Sequence, residues 1–310
     1  MKKLSKLIAI SLCILMMTVL FTGCSKKEQE QINFFNYGEN IDDETIKEFE
    51  KTYNIKVNME TFDDMEAMYQ KINSGAGKYD VVLVSDALMP RMIEKGLVQK
   101  LNKDNIPNIS QMDKQYLDLD IDPGNQYSVP YMFGTVGLIY NKDVVKEKVD
   151  SWDILWDEKY KDQIFMFDTY RDTIGVALKK LGYSLNSTNK DEINEAKELL
   201  LKQRKLVNPI YGVDNGTTMI PAGETNINMI WSGEGLNLQA EYPNLVYVVP
   251  KEGANFWIDS LCITSNAKNV DGAEKFINFV SDKKSALRIA DEIGYTTPNK
   301  EARLEQPKEV

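Results

Sequence analysis

The sequence has no histidine among its 310 residues and only 3 cysteines. Without histidine, serine or cysteine triads built on an imidazole base are excluded, as are His-ligated zinc sites. Cys13 and Cys24 lie near the N-terminus, which leaves Cys262 alone in the rest of the chain. No disulfide can form within that remainder, and Cys262 reads as a small apolar core residue. Basic charge is also scarce, with 37 Lys and Arg against 47 Asp and Glu. This balance argues against nucleic acid or an anionic lipid surface bound through bulk charge, and it suits a cationic ligand. There is no internal repeat, and low complexity is confined to a polar stretch after Cys24 and the last few residues.

Lys2, Lys3 and Lys6 precede an uncharged run over residues 7–23, the form of an export signal. The run closes with FTGC, which resembles the lipobox of bacterial lipoproteins. That resemblance implies removal of residues 1–23, lipid modification of Cys24 and a short tether over 24–31. The alternative is an uncleaved membrane anchor, since the run is near the length needed to span a bilayer. Either way, residues 25–310 lie outside the cytoplasmic membrane. Loss of the three lysines leaves 34 basic against 47 acidic residues, a net charge of −13.

A mature chain of about 280 residues exceeds what one core usually holds, so two lobes are expected. Strands are predicted at 32–36, 55–62 and 79–85, alternating with helices at 42–54, 65–75 and 88–96. Ile46, Phe49 and Tyr53 give the first helix its apolar face, and Asp42 stands near its start. The alternation indicates an α/β fold with a mainly parallel sheet covered by helices. Residues 128–143 read as two β-rich pieces separated by Pro130 and Gly134. Helices are expected at 173–184 and 191–205, strands at 226–231, 245–250 and 256–264, and two short helices around Asp282 within 272–294. In the strand FWIDSLC, side-chain alternation places Trp257 and Asp259 on one face and Phe256, Ile258 and Ser260 on the other. A carboxylate beside the largest aromatic residue is costly inside a packed core, so that face is expected to meet something other than core.

Several stretches together resemble the extracytoplasmic spermidine/putrescine-binding proteins of ABC importers. They are NYGENI (36–41), YDVVLVSD (79–86), SVPYMFGTVGLIYNKD (128–143), SWDILWDEKYKD (151–162), RDTIGVALKKLGYSLNSTN (171–189), INMIWSGE (227–234), PKEGANFWIDSL (250–261) and GYTTPN (294–299). The resemblance implies a two-lobed α/β fold of periplasmic-binding-protein type with the ligand cleft between the lobes. One lobe would hold 32–133 and the returning 256–310, the other 134–255, with crossings near 132–136 and 252–256. It implies a monomeric binding protein that is not an enzyme and needs no cofactor or metal. Such a protein hands a polyamine to permease subunits powered by a separate ATPase.

A polyamine needs carboxylates for its ammonium groups and aromatic faces along its methylenes. The resemblance assigns ligand contacts to Tyr37, Glu39 and Asn40 at the first strand–helix turn, to Ser85 with Asp86 beside it, and to Asp172, Trp231, Trp257 and Asp259. Asp86 reads equally as a helix N-cap, and Trp231 as a cap on a lobe core. Thr169 stands where the family has a further acidic contact, with Asp168 next to it. Ala87 and Asn40 each replace an aromatic residue. These departures favour a shorter diamine or a broad, weaker preference. Relatives also continue for some tens of residues beyond GYTTPN, which implies weaker binding and a less stable second lobe here. Alternatives within the same fold are another small cationic amine or a signalling role. A different class is a glycoside hydrolase using Asp168, Asp172 or Asp259.

Overall fold

The computed structural model describes residues 29–38 and 40–306. The chain divides after Glu30, and the folded body is Gln31–Val310. The expected signal, the lipidation site Cys24 and Glu39 lie outside the described residues.

The body opens with β1 (Gln31–Tyr37), α1 (Asp43–Tyr53), β2 (Lys56–Phe62), α2 (Met65–Asn73), β3 (Val81–Ser85) and α3 (Met89–Glu94). Local chemistry sets these boundaries. Asp42 caps α1 by accepting from Thr45 N at 2.8 Å, and Asn54 ends it in the left-handed conformation at φ 55°. β1 runs parallel to both β2 and β3. After several short 3-10 turns comes β4 (Ser128–Asn141), followed by β5 (Ile164–Phe167), α4 (Tyr170–Lys180), α5 (Lys190–Val207) and β6 (Ile210–Gly212). The chain continues through α6 (Gly216–Ala222), β7 (Ile227–Trp231), α7 (Ser232–Glu241), β8 (Leu245–Val248) and β9 (Phe256–Ile263). It closes with α8 (Val270–Val280), α9 (Lys283–Ile293) and α10 (Lys300–Glu305).

The strands form one mixed sheet in the order β2-β1-β3-β9-β4-β7-β5-β6, with β8 also on β4. β9 runs antiparallel to both β3 and β4, so the sheet is less parallel than the strand–helix alternation implied. β4 is the connecting strand. Up to Thr135 it pairs with β9, and from Val136 onward with β7 and β8.

The two β-rich pieces expected over 128–143 are therefore one strand. Pro130 is accommodated at a register shift between Pro130 and Met132, where no ladder hydrogen bond is required of it. Gly134 does not break the strand either: a Cβ there would lie 2.6 Å from the Trp257 ring and 2.8 Å from Ser232 Oγ.

Two apolar clusters flank the first half of the sheet. One joins Phe34, Phe49 and Val81 to Leu261, Phe276 and Ile289. The other joins Phe35, Tyr69, Val82 and Met89 to Cys262, which is fully buried as a core thiol. A third cluster, around Trp152, Tyr160, Phe165 and Met229, holds the second half. Trp231 and Trp257 pack against the first and third clusters alike, so both indoles stand where the halves of the sheet meet.

Candidate ligand-binding site

A cavity of about 460 Å³ opens at that junction, within the range usual for small-molecule sites. It is lined by Tyr37, Asn40, Ser85, Asp86, Asp168, Thr169, Asp172, Trp231, Trp257 and Asp259. Every site residue assigned from the sequence and described by the structure thus borders one space. Three of the strands end on it: Tyr37 closes β1, Ser85 closes β3 and Trp231 closes β7.

The walls are aromatic and mutually braced. Trp231 stacks on Phe167 with centroids 4.4 Å apart and meets Tyr37 edge-on at 6.3 Å. Trp231 is thus at once the core cap and a wall of the cavity. Trp257 meets Tyr295 edge-on at 5.0 Å. Asp259 pairs in register with Ser85 on β3, two residues along from Trp257 and on the same side of β9. Phe256 faces the other way and lies 5.4 Å from Phe133.

Asp86 is not a helix cap. Its carboxylate accepts from Ala87 N at 2.8 Å, while the N-cap position of α3 is Leu88, with no side-chain cap. Ala87 lines the cavity and contributes no ring. Asp168 is exposed, whereas Asp172 is 7 % exposed with both oxygens engaged. Thr169 Oγ1 donates to Asp172 Oδ2 at 2.8 Å, and Asn255 Nδ2 donates to Oδ1 at 2.9 Å. Thr169 therefore does not restore the missing acid but steadies the one three residues on.

Sequence reading missed Glu234, in the first turn of α7. Ser232 Oγ accepts from Thr135 N at 3.2 Å, and a Cβ on Gly233 would lie 2.7 Å from the Tyr295 ring. That close approach presses the start of α7 against the cavity and brings Glu234 to its wall. The WSGE stretch carries no helical periodicity of its own, so neither the helix nor the role of its acid was legible. Tyr295, Asn255 and the rim residues Asp63, Tyr170 and Arg171 were likewise not foreseen.

Eight carboxylates border the cavity (Asp63, Asp64, Glu66, Asp86, Asp168, Asp172, Glu234 and Asp259) against two guanidiniums, those of Arg91 and Arg171. Arg91 pairs with Glu66 at 2.9 Å and so offsets one of the eight, while Arg171 bonds Asn186 Oδ1 at 2.6 Å and its charge still acts on Asp86 and Asp172. Burial, reinforced by the charge of Asp86, pushes the Asp259 carboxyl up to about 8. Burial and then Asp214 push Glu234 up to about 8. Burial raises Asp86 to about 6, and it also raises Asp172 against the pull of its two donors. The carboxylates are spread around the walls, and among the described residues no three of them gather in a group that could hold a metal ion. The cavity thus carries an excess of acidic over basic side chains.

The chain matches the model of the bacterial extracellular solute-binding protein family over residues 44–310. It is 37 % identical over 278 residues to the spermidine/putrescine-binding periplasmic protein of Escherichia coli, covering 89 % of this chain and 80 % of that one. It is 31 % identical over 305 residues to a putrescine/cadaverine-binding protein of Pseudomonas aeruginosa, covering 92 % of this chain and 84 % of the other. Among solved structures, the spermidine/putrescine ABC transporter substrate-binding protein of Streptococcus pneumoniae superposes with a TM-score of 0.80 at 35 % identity, covering 90 % of this chain and 86 % of that one. A lipoprotein of Treponema pallidum gives 0.83 at 25 % identity, covering 91 % of this chain and 90 % of that chain. These matches and superpositions lead to one assignment: the chain belongs to the bacterial extracellular solute-binding protein family and has the periplasmic-binding-protein fold.

Proposed function

We propose that this protein captures a polyamine outside the cytoplasmic membrane and delivers it to an ABC-type permease, acting by binding rather than catalysis. The observation that carries the reading is the cavity itself: eight carboxylates and several aromatic walls against two guanidiniums, one of them paired with Glu66. A compact metal ion needs several oxygens converging on one point. An extended chain of methylenes between ammonium groups needs them apart, with rings between. Asp259 with Asp86 beside it, and Glu234 with Asp214 beside it, are the two acidic poles in this reading. Trp231, Trp257 and Tyr37 lie along the methylenes and add cation–π attraction, roughly 0.5–2 kcal/mol each.

Asp172 is a further contact for the same ligand, and because Thr169 adds no second acid beside it, a diamine such as putrescine is suited better than spermidine. The names of the Escherichia coli and Pseudomonas aeruginosa relatives agree with a ligand of this class. The lobes of this reading are 32–133 with 256–310, and 134–255. The change of partner along β4 and the 249–255 link between β8 and β9 support crossings at those points. Cys24 is the proposed lipid anchor, in keeping with the lipoprotein relative from Treponema pallidum. Calorimetric titration with putrescine, cadaverine and spermidine tests the reading. Saturable binding with putrescine at least as tight as spermidine supports it, and no heat from any of the three removes it.

A further inference from the structure

Asp172 differs from the other buried acids of the cavity in how it is held. Asp86 accepts only local backbone N–H groups, and among the described residues no protein donor is recorded on Asp259 or Glu234. Asp172, at the third position of α4, has one donor on each oxygen, from Thr169 and from Asn255. Asn255 is itself 8 % exposed, borders the cavity and lies in the link between β8 and β9. Its backbone carbonyl accepts from Val136 N at 3.0 Å, at the residue where β4 exchanges β9 for β7. One residue therefore bonds the strand crossing through its main chain and a cavity carboxylate through its side chain.

We propose that Asn255 is a positioning residue for cation capture, holding the Asp172 carboxylate in one orientation and fastening that wall of the cavity to the strand crossing. The proposal rests on the polyamine reading above. A carboxylate free to rotate must lose that freedom when an ammonium group arrives, whereas one already fixed by two donors loses little. Donors to the charged form also favour ionisation against the burial that opposes it. An apolar residue at 255 would leave Oδ1 buried without its donor and free the χ angles of Asp172.

Two measurements decide the matter. In the ligand-free protein with carboxyl-13C-labelled aspartate, NMR follows the titration of Asp172. The midpoint moves upward in Asn255→Ala, and an unmoved midpoint overturns the proposal. Calorimetry with putrescine on wild type, Asn255→Ala, Asp172→Asn and the double variant then reads the coupling. Asn255→Ala weakens binding by roughly 10-fold in the wild-type background and by less than about twofold when Asp172 is already replaced. Equal losses in both backgrounds would mean that Asn255 acts through the fold alone, which overturns the proposal. Melting curves of all four proteins identify any variant that fails to fold, and Asn255→Leu, close in volume and without a donor, then replaces Asn255→Ala in the same cycle. No heat from wild type removes the diamine reading and the capture role with it, while the ligand-free titration judges the Asn255–Asp172 contact separately.

Discussion

Putrescine binding is expected to expel protons, and the number follows from the cavity. Asp259 and Glu234 each stand at about 8 in the empty site, and Asp86 at about 6. At pH 7 a group with that higher value is protonated about nine-tenths of the time, and ionising it costs about 1.4 kcal/mol. An ammonium group beside each carboxylate favours the charged form, so capture of a diamine releases about two protons at pH 7. The two ionisations together cost about 3 kcal/mol, roughly a hundred-fold in affinity relative to a site already charged. Affinity should therefore climb on the order of a thousand-fold from pH 6 to pH 8 and level off above about pH 9, where the amine begins to lose its own charge. The groups facing these carboxyls do not offset the effect. Burial keeps the Tyr37 and Tyr295 phenols protonated, Asp214 and Asp86 add negative charge, and the one cation acting on Asp86 is Arg171. Titrations in buffers of different ionisation enthalpy count the protons directly. Asp259→Asn should abolish tight binding and lower the count by about one. Release of fewer than about half a proton at pH 7, or an affinity flat between pH 6 and pH 8, would refute the reasoning.

The same two carboxyls set the stability of the empty protein. Their folded values lie above the ordinary carboxylate range, so the folded state holds extra protons between about pH 4 and pH 8, and stability is lost as pH rises through that window. Asp259→Asn removes one such group, and its melting temperature relative to wild type should rise steadily from pH 5 to pH 8; a constant difference would count against the burial argument. Gly134→Ala puts a methyl group 2.6 Å from the Trp257 ring. It should cost about 1–3 kcal/mol in chemical denaturation and weaken putrescine binding with no change in charge, because the wall itself moves. Asp122 accepts from Gln126 N, Tyr127 N, Ser128 N and Ser128 Oγ at the start of β4. Asp122→Ala leaves the two buried Ser128 donors bare and should lower unfolding free energy by about 2–4 kcal/mol, measured by urea titration.

Most of the elements were legible because their signals are local. Asp42 and Asp282 each cap the helix predicted behind them, and residues 81–84 are all buried, as their apolar run implied. The misreadings have specific causes. Pro130 and Gly134 looked like breakers when judged by residue type, but one sits at a register shift and the other makes room for an indole from a strand more than a hundred residues away. β6 and α6 are too short to impose a period, and α7 opens with small residues because Tyr295 lies against Gly233 and Tyr247 against Gly235. In the site, the alternation of β9 was enough to pair Trp257 with Asp259. Nothing local distinguished Glu234 from any other surface acid, or Asn255 from a loop residue.

The sequence by itself determined the available chemistry. With no histidine, a single cysteine beyond the N-terminal segment and an excess of acid, the chain was left with carboxylates and aromatic rings, and its motifs carried the family resemblance. Tertiary structure alone gathered the acids into one place and added Glu234 to those the motifs had pointed to. Asp86, Asp172, Glu234 and Asp259 come from four separate stretches and meet around one cavity. Whether each is charged there depends on lost water and on neighbours through space, because Coulomb energy follows distance and local dielectric and takes no account of position along the chain.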